Sequence, residues 1–443
     1  MTGKKRVAFH TLGCKVNTYE TDAMEQMMRE GGYEIVPFQE GADVYIINTC
    51  SVTNMADHKS RQMLHRARKM NPAAVVVAVG CYVQADPAKA MEDTGADLII
   101  GNNKKKDIVA ILDAYLDGKR REAVIDIGET REYEELELST VVDHTRAYIK
   151  VQDGCNQFCS YCIIPYTRGR IRSRKAERVK AEVARLAQSG IKEVVLTGIH
   201  LSSYGKDMGV DDGLLQLIQL IHGISGIERI RLGSLEPRII TEEFAQALGS
   251  MPKICPHFHL SLQSGCDAVL KRMNRHYTTG EYLRRCGILR TVFSNPAITT
   301  DVIVGFPGET QEEFLETKAF LEAMNFFEMH IFKYSPRKGT RAAAMDGQIP
   351  EHIKTDRSSQ LLQLEREQSL RYRESFLGND MTILLENRVR LGDAFYMVGH
   401  SREYVKAAWP LRPGEDEAAW SNRLVTARAS GMIKDDIVLL HRP

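Results

Sequence analysis

Over the first 115 or so residues, apolar β-branched runs alternate with stretches of helical periodicity. RVAFHTL, ADVYIINT, AAVVVAVG and ADLIIG read as strands, and TYETDAMEQMMREGG and DHKSRQMLHRARKM as helices between them. Near-continuous apolar strands separated by helices predict a parallel sheet covered on both faces. Three of these strands run out at a cysteine: Cys14, Cys50 and Cys81. Ligands of open parallel sheets bind beyond the carboxyl ends of the strands, so thiols 36 and 31 residues apart can meet at one site. The alternative is three buried structural thiols, because free cysteine is among the most buried residue types.

Residues 116 to 146 are charged and weakly periodic, as a connector is. A second βα series follows, with AYIKVQ, EVVLTGI, RIRLGSL, HFHLSL, AITTDVIVGF and MHIFKYSP as six strands, compatible with a parallel barrel that does not fully close. After the amphipathic stretch HIKTDRSSQLLQLEREQSLRYRESFLG the pattern changes to five short strands, which predicts a small all-β barrel of a kind that often binds oligonucleotides. A purely structural cap is the other reading. The fold class is therefore α/β with an all-β end, and the predicted domains are 1–116, 142–372 and 375–441.

Composition narrows the function classes. Lys+Arg 59 against Asp+Glu 58 leaves a net charge of +1, so a nucleic-acid surface must come from local clustering. No run approaches a membrane span, and the start has only a short apolar stretch, which predicts a cytoplasmic protein with no membrane partner. Nine cysteines, an odd number in such a chain, argue for metal ligands or buried thiols over a disulfide framework.

The strongest chemical signal is DGCNQFCSYC, which places Cys155, Cys159 and Cys162 directly after the first strand of the second series. Soft thiolates select zinc or iron–sulfur clusters. Zinc would need a fourth Cys or His nearby, and the next fifteen residues hold neither. A cluster with one open iron fits better. CxxxCxxC with Tyr161 before its last cysteine, opening a six-unit βα barrel, resembles the radical S-adenosylmethionine superfamily. That resemblance implies a 4Fe–4S cluster on the three cysteines with S-adenosylmethionine at its open iron. It also implies cofactor contacts at later strand ends: Thr197 and Gly198 in LTGIH, Ser234 and Glu236 in GSLEP, Gln263 in HLSLQSG, and Gly305 in DVIVGFPGET. Of His257 and His259, which alternate along one strand, one is expected to be a packed core histidine.

Within that superfamily the chain is similar to the methylthiotransferases over nearly its whole length. LGCKVNTYETD, INTC and AVGCY carry the likeness at the N-terminal end. It implies that Cys14, Cys50 and Cys81 hold a second, auxiliary 4Fe–4S cluster with Asn17 near it, and that the C-terminal barrel is a TRAM-like RNA-binding module. GCKVNTYETD resembles the branch acting on threonylcarbamoyladenosine beside the tRNA anticodon. Alternatives are another tRNA adenosine, a ribosomal-protein aspartate, or a non-enzymatic RNA-binding iron–sulfur sensor. Arg168, Arg170, Arg172 and Arg174 follow the cluster loop and are expected at the mouth of the site, where guanidinium forks match phosphate or carboxylate; a solvated charge run is the plainer reading. Implied partners are tRNA, an electron donor such as flavodoxin or ferredoxin, and a sulfur source. Cys255, Cys266 and Cys286 lack ligand spacing and are expected to be structural.

Overall fold

The computed structural model describes residues 4–119, 122–139 and 145–442; the expected domain starts at 1 and 142 lie outside them. The N-terminal strands are β1 (Arg6–Thr11), β2 (Glu34–Val36), β3 (Val44–Thr49), β4 (Val75–Gly80), β5 (Leu98–Ile100) and β6 (Glu122–Ala123). They form one parallel sheet in the order β2-β1-β3-β4-β5-β6. All six residues of β3 are buried, as a central strand covered on both faces requires. Helix α1 (Lys15–Glu30) starts at Cys14, and α2 (Asn54–Met70) is capped by the Thr53 side chain.

The second series supplies β7 (Arg146–Asp153), the short β8 (Arg172–Ser173), β9 (Glu193–Gly198), β10 (Arg229–Leu232), β11 (His257–His259), β12 (Ala297–Val304) and β13 (Glu328–Lys333). Strands β7, β9 and β10 are parallel, as are β11, β12 and β13, and isolated bridges at Ile230–Ile254 and Leu235–Leu260 join the two groups into one curved wall. Among the described residues no ladder returns from β13 to β7, so the barrel stays open, and α1 packs against β7 and β9. Alternation along the strands sorts the side chains. Ala147, Ile149, Val151, Ile230, Leu232 and Phe258 join the core under the outer helices. Arg146, Lys150, Arg231, His257 and His259 therefore face the lumen.

Segment 122–139 is more than a charged connector. It adds β6 to the first sheet and buries Leu136 and Leu138 in the barrel's outer core. Its acids are neutralised by that barrel, Glu135 by Arg174 at 2.9 Å and Glu137 by Arg185 at 2.7 Å, so a run that reads as solvated in sequence becomes a packed strap.

Helix Glu351–Glu374 sends Leu361 and Leu364 into the large core and ends with Tyr372 against the next unit. That unit is a closed barrel of β14 (Asp380–Leu391), β15 (Ala394–Ser401), β16 (Lys406–Pro410), β17 (Leu424–Lys434) and β18 (Ile437–Leu440). It is bolted to the floor of the large barrel by arginine. Arg229 donates to the carbonyls of His400 (2.9 Å) and Thr382 (2.8 Å), and Arg231 to those of Arg402 (2.9 Å) and Ser401 (3.2 Å). Tyr404, at φ +70°, inserts its ring beneath Arg231 and beside His257. Among the described residues no helix is long and apolar enough to cross a membrane.

Candidate active site

Two thiol triplets stand at strand ends. The first is assembled from three separate segments by polar side chains. Asn17, in the first turn of α1, donates to the carbonyls of Leu12 (2.6 Å) and Thr49 (3.0 Å), drawing the end of β1 to the end of β3. Asn48 reaches back to the Asn17 carbonyl at 3.0 Å, and Thr49 donates to Val79 at 2.6 Å while accepting from the Tyr82 amide, which ties β3 to β4. Gly13 sits at φ +108°, and a Cβ there would lie 3.2 Å from Cys50 Sγ, so the Cys14 loop passes directly over Cys50. The thiols lie within electrostatic reach of one another: Cys81 opposes ionisation of Cys14, and both oppose that of Cys50. Burial, the larger cause, pushes Cys50 up to about 12.

Beside these thiols lies a buried ionic network. Glu20 of α1 accepts from Lys105 (3.0 Å), Lys150 (2.7 Å) and Arg168 (2.6 Å), and Asp153 meets Lys150 (2.6 Å), Arg168 (3.3 Å) and Arg172 (3.7 Å). Burial resists ionisation of Glu20, but the three cations outweigh it and hold its carboxyl well below the usual range. Four cationic groups thus share two carboxylates; Glu134 is the next acid, felt by Lys150 without direct contact. Arg168 Nε points at Cys81 Sγ (3.3 Å), and its fork also donates to Asn17 Oδ1 (2.6 Å). This excess of buried positive charge, directed at thiol sulfur, suits an anionic group.

The second triplet is local. Gly154, at φ +70°, turns the chain out of β7; a Cβ there would fall 1.9 Å from the Arg170 carbonyl oxygen, so no other residue fits without moving the loop. The loop is pinned by Ser160, which donates to Met273 O (3.0 Å) and Arg272 O (2.9 Å), and by Asn274, which donates to Phe158 O (3.1 Å). Phe158 itself takes a left-handed φ of 49°. Arg275 donates to Cys159 Sγ at 3.4 Å. Burial, followed by the charge of Cys159, pushes Cys162 up to about 12, and burial pushes Cys155 up to about 11. Without metal such thiols are protonated, and iron would replace those protons.

Neither triplet has the spacing of ligands to a single tetrahedral ion. A tetrahedral ion with metal–sulfur bonds of about 2.3 Å holds its sulfurs about 3.8 Å apart. Among the described residues, only His259, Asp301 and His330 bring three ligand atoms within 4.8 Å of one another; neither cysteine triplet does. Thiolates bound to different irons of one cluster have the wider spacing.

A cavity of about 170 Å³ lies between the loop of the second triplet and the segment that follows Cys50. Val52 and Thr53, which follow Cys50, form one side; Tyr161 and Cys162 form another, with Gln263 and Asp301 at the barrel wall. Gln263 adopts φ +74° with its backbone bridged to Asp301 and Ile303. A neighbouring cavity of about 410 Å³ takes Glu236, whose carboxylate accepts from Arg238 at 2.7 Å, with Gln157 and His200. Thr197 is buried at the end of β9 beside Gly198, Ser234 is exposed, and Gly305 packs against Lys354.

The arginine row departs from expectation. Arg168, Arg172 and Arg174 are all fully buried; Arg174 pairs with Glu182 and Glu135 in a structural ion cluster. They are not at the mouth as a row, because Arg168 and Arg172 turn inward onto Glu20 and Asp153 and Arg174 onto Glu182 and Glu135. Only Arg170 is exposed, its guanidinium 4.6 Å from the centre of the Phe158 ring. Cys255, Cys266 and Cys286 are buried and apart from both triplets, Cys266 and Cys286 among apolar side chains. Sequence reading missed Glu20, Lys105 and Arg275, since a lone charged residue carries no signal of burial, and Asn102, which donates to the Thr167 carbonyl at 2.7 Å. It also missed Arg337, which reaches from beyond β13 to Ser51 (2.8 Å) and Asp57 (2.7 Å) and locks the Cys50 loop to the barrel.

Comparison with known proteins agrees with this layout. Residues 6–101 match the Uncharacterized protein family UPF0004, and residues 149–321 the Radical SAM superfamily. The chain is 42% identical over 405 residues to the threonylcarbamoyladenosine tRNA methylthiotransferase MtaB of Bacillus subtilis, covering 91% of this chain and 90% of that one. The Aquifex aeolicus protein of the same name is 42% identical, covering 87% and 94%. A tRNA-2-methylthio-N(6)-dimethylallyladenosine synthase of Pelotomaculum thermopropionicum is 34% identical, covering 88% and 89%. Among solved structures, the radical S-adenosylmethionine methyltransferase TsrM of Kitasatospora setae superposes with a TM-score of 0.58 at 14% identity over 77% of this chain and 74% of that one, a likeness of fold.

Proposed function

The chain belongs to the radical S-adenosylmethionine methylthiotransferases, and from that premise we propose that it methylthiolates carbon 2 of threonylcarbamoyladenosine beside the anticodon of tRNA. The observation that carries this reading is the single cavity with Cys162 on one wall and the segment after Cys50 on another. One S-adenosylmethionine cluster follows from the superfamily; two clusters, on Cys155/Cys159/Cys162 and on Cys14/Cys50/Cys81, are our proposal. When bound, these groups supply the radical that opens an inert C–H bond and the sulfur that replaces the hydrogen.

The chain's own contribution is placement. Asn17, Asn48 and Thr49 fix the strand ends that present the first triplet, and Arg168 balances negative charge there. Arg275 does the same at Cys159. Tyr161, Gln263 and Asp301 wall the cavity, and Arg337 keeps the two sides at a fixed distance. The three units proposed here are the sheet domain through about 116, the open barrel from about 142 to 372, and the TRAM-like barrel over 375–441, which would hold tRNA. An electron donor of flavodoxin or ferredoxin type and a sulfur source complete the cycle.

The test is nucleoside mass spectrometry of tRNA from cells lacking the gene, with and without a plasmid copy. Threonylcarbamoyladenosine should accumulate without its methylthio form, and the copy should restore it. Loss of a methylthio group from a different adenosine instead would overturn the substrate assignment.

A further inference from the structure

The floor of the barrel lumen holds a cation with nothing to bind. Arg146, Arg229 and Arg231 converge there on Glu193, Arg231 at 2.9 Å and Arg229 at 3.5 Å, while Arg146 also pairs with Glu386. Each of these guanidinium groups is further held by the docked C-terminal barrel. Lys15 opens α1, the helix that packs on β7 and β9, and lies within electrostatic reach of Arg231, Arg146, Glu193 and His257. It is half-buried and makes no hydrogen bond or ion pair with any described residue. Four cationic side chains therefore stand over two carboxylates, and one of the four is unengaged. His257 beside it is 6% exposed, and its Nδ1 is buried without a partner. Buried polar groups are nearly always satisfied, so the orphaned His257 nitrogen, with an unpaired ammonium in electrostatic reach, marks a place for an acceptor.

Position supplies the ligand's identity, on the premise that the proposed function is right. Lys15 follows Cys14, so its backbone belongs to the wall carrying the first triplet while its charge is felt at the lumen floor. Carbon 2 and the N6 nitrogen of adenine lie on the same edge of the base. A base presenting carbon 2 between the two triplets can place its N6 substituent in the barrel lumen. In threonylcarbamoyladenosine that substituent ends in a carboxylate. We propose that Lys15, assisted by His257, binds the threonyl carboxylate and so selects an adenosine with an acidic N6 group. A lumen with unbalanced positive charge favours that anion and disfavours a neutral apolar substituent, which would leave Lys15 desolvated and unpaired.

The test uses two synthetic anticodon stem-loops, identical except that one carries threonylcarbamoyladenosine and the other its threoninol analogue, which lacks only the carboxylate. Wild-type holoenzyme should bind the threonyl RNA about tenfold or more tightly, the range of a charge-assisted contact. Lys15→Met should bring the ratio close to one by weakening the threonyl RNA alone, and Lys15→Arg should retain most of it. Both RNAs are titrated against one preparation, so a variant with altered iron content still yields its ratio. A Lys15→Met protein that keeps the wild-type ratio would overturn the proposal. So would a wild-type enzyme that methylthiolates the threonyl RNA yet binds both equally. A wild-type enzyme that methylthiolates neither would instead refute the proposed function.

Discussion

The two thiol sites differ in how the chain builds them. Cys155, Cys159 and Cys162 sit within one loop, pinned by backbone and amide hydrogen bonds from Ser160 and Asn274, with a single guanidinium, Arg275, on a sulfur. Cys14, Cys50 and Cys81 come from three strand ends and are backed by an ionic network whose key member, Arg168, belongs to the other domain's loop. A local chelate needs only its own turn to be right. A distributed one exists only after the sheet has formed and the barrel has docked. The second site is thereby coupled to the first through the segment 155–168, which carries the barrel cysteines at one end and Arg168 at the other.

The sharpest way to break the comparison is to remove one thiol from each site. Cys159→Ala should abolish both 5'-deoxyadenosine formation and methylthiolation. Cys50→Ala should retain 5'-deoxyadenosine formation while methylthiolated tRNA falls by at least about a thousandfold, with iron dropping from about eight to about four per chain. The two products are quantified in one anaerobic reaction, after folding is checked because cluster loss can cost stability. Equal loss of both products in both variants would mean the sites do not divide the work.

A second test addresses the ionic backing. Arg168→Met removes the guanidinium shared by Glu20, Asp153 and Asn17 but leaves each carboxylate two other cations, so it should cost about 1–3 kcal/mol. Urea unfolding measures this, and the iron bound at the first triplet should fall while that at the second remains. Acid should reach the same weak point. The folded pKa of Glu20 is lowered, so its stabilising contribution is fully present above the ordinary carboxylate pKa near 4.5 and is lost as pH falls toward the folded value. Glu193 under the barrel behaves alike: burial opposes its ionisation, but Arg231, Arg146 and Arg229 bring its carboxyl down to about 2. Unfolding midpoints between pH 6 and 3 should therefore decline, and Glu20→Gln should flatten part of that slope.

This contrast also explains what the sequence revealed. Strands β1, β3 and β4 and the five strands of the small barrel were legible because burial alternates or saturates along them, and the cysteine spacings were legible because ligands in one loop keep their order. Cys14, Cys50 and Cys81 could be placed at strand ends but not joined without knowing the sheet order. The burial of Arg168, Arg172 and Arg174 was hidden, since a residue's charge is written in the sequence and its partner is not: Glu20 and Glu182 lie far away or on another helix face. Lys15 is the reverse case, an ordinary lysine whose interest lies in lacking a partner.

The smallest expected effect concerns Arg170, the one member of the arginine row left in solvent. It stacks on Phe158 within the cysteine loop, so it presents charge beside the mouth without joining the buried network. If it meets a tRNA phosphate, Arg170→Ala should weaken tRNA binding only a few-fold at moderate salt and reduce the slope of log affinity against log salt by about one. Iron content and 5'-deoxyadenosine formation should be unchanged, because no thiol or buried carboxylate touches this side chain. Arg168→Met should give the opposite signature, lowered iron and stability with the salt slope intact. An Arg170→Ala protein that loses iron instead would mean the Phe158 contact holds the cysteine loop, and the two sites would be less different than their geometry implies.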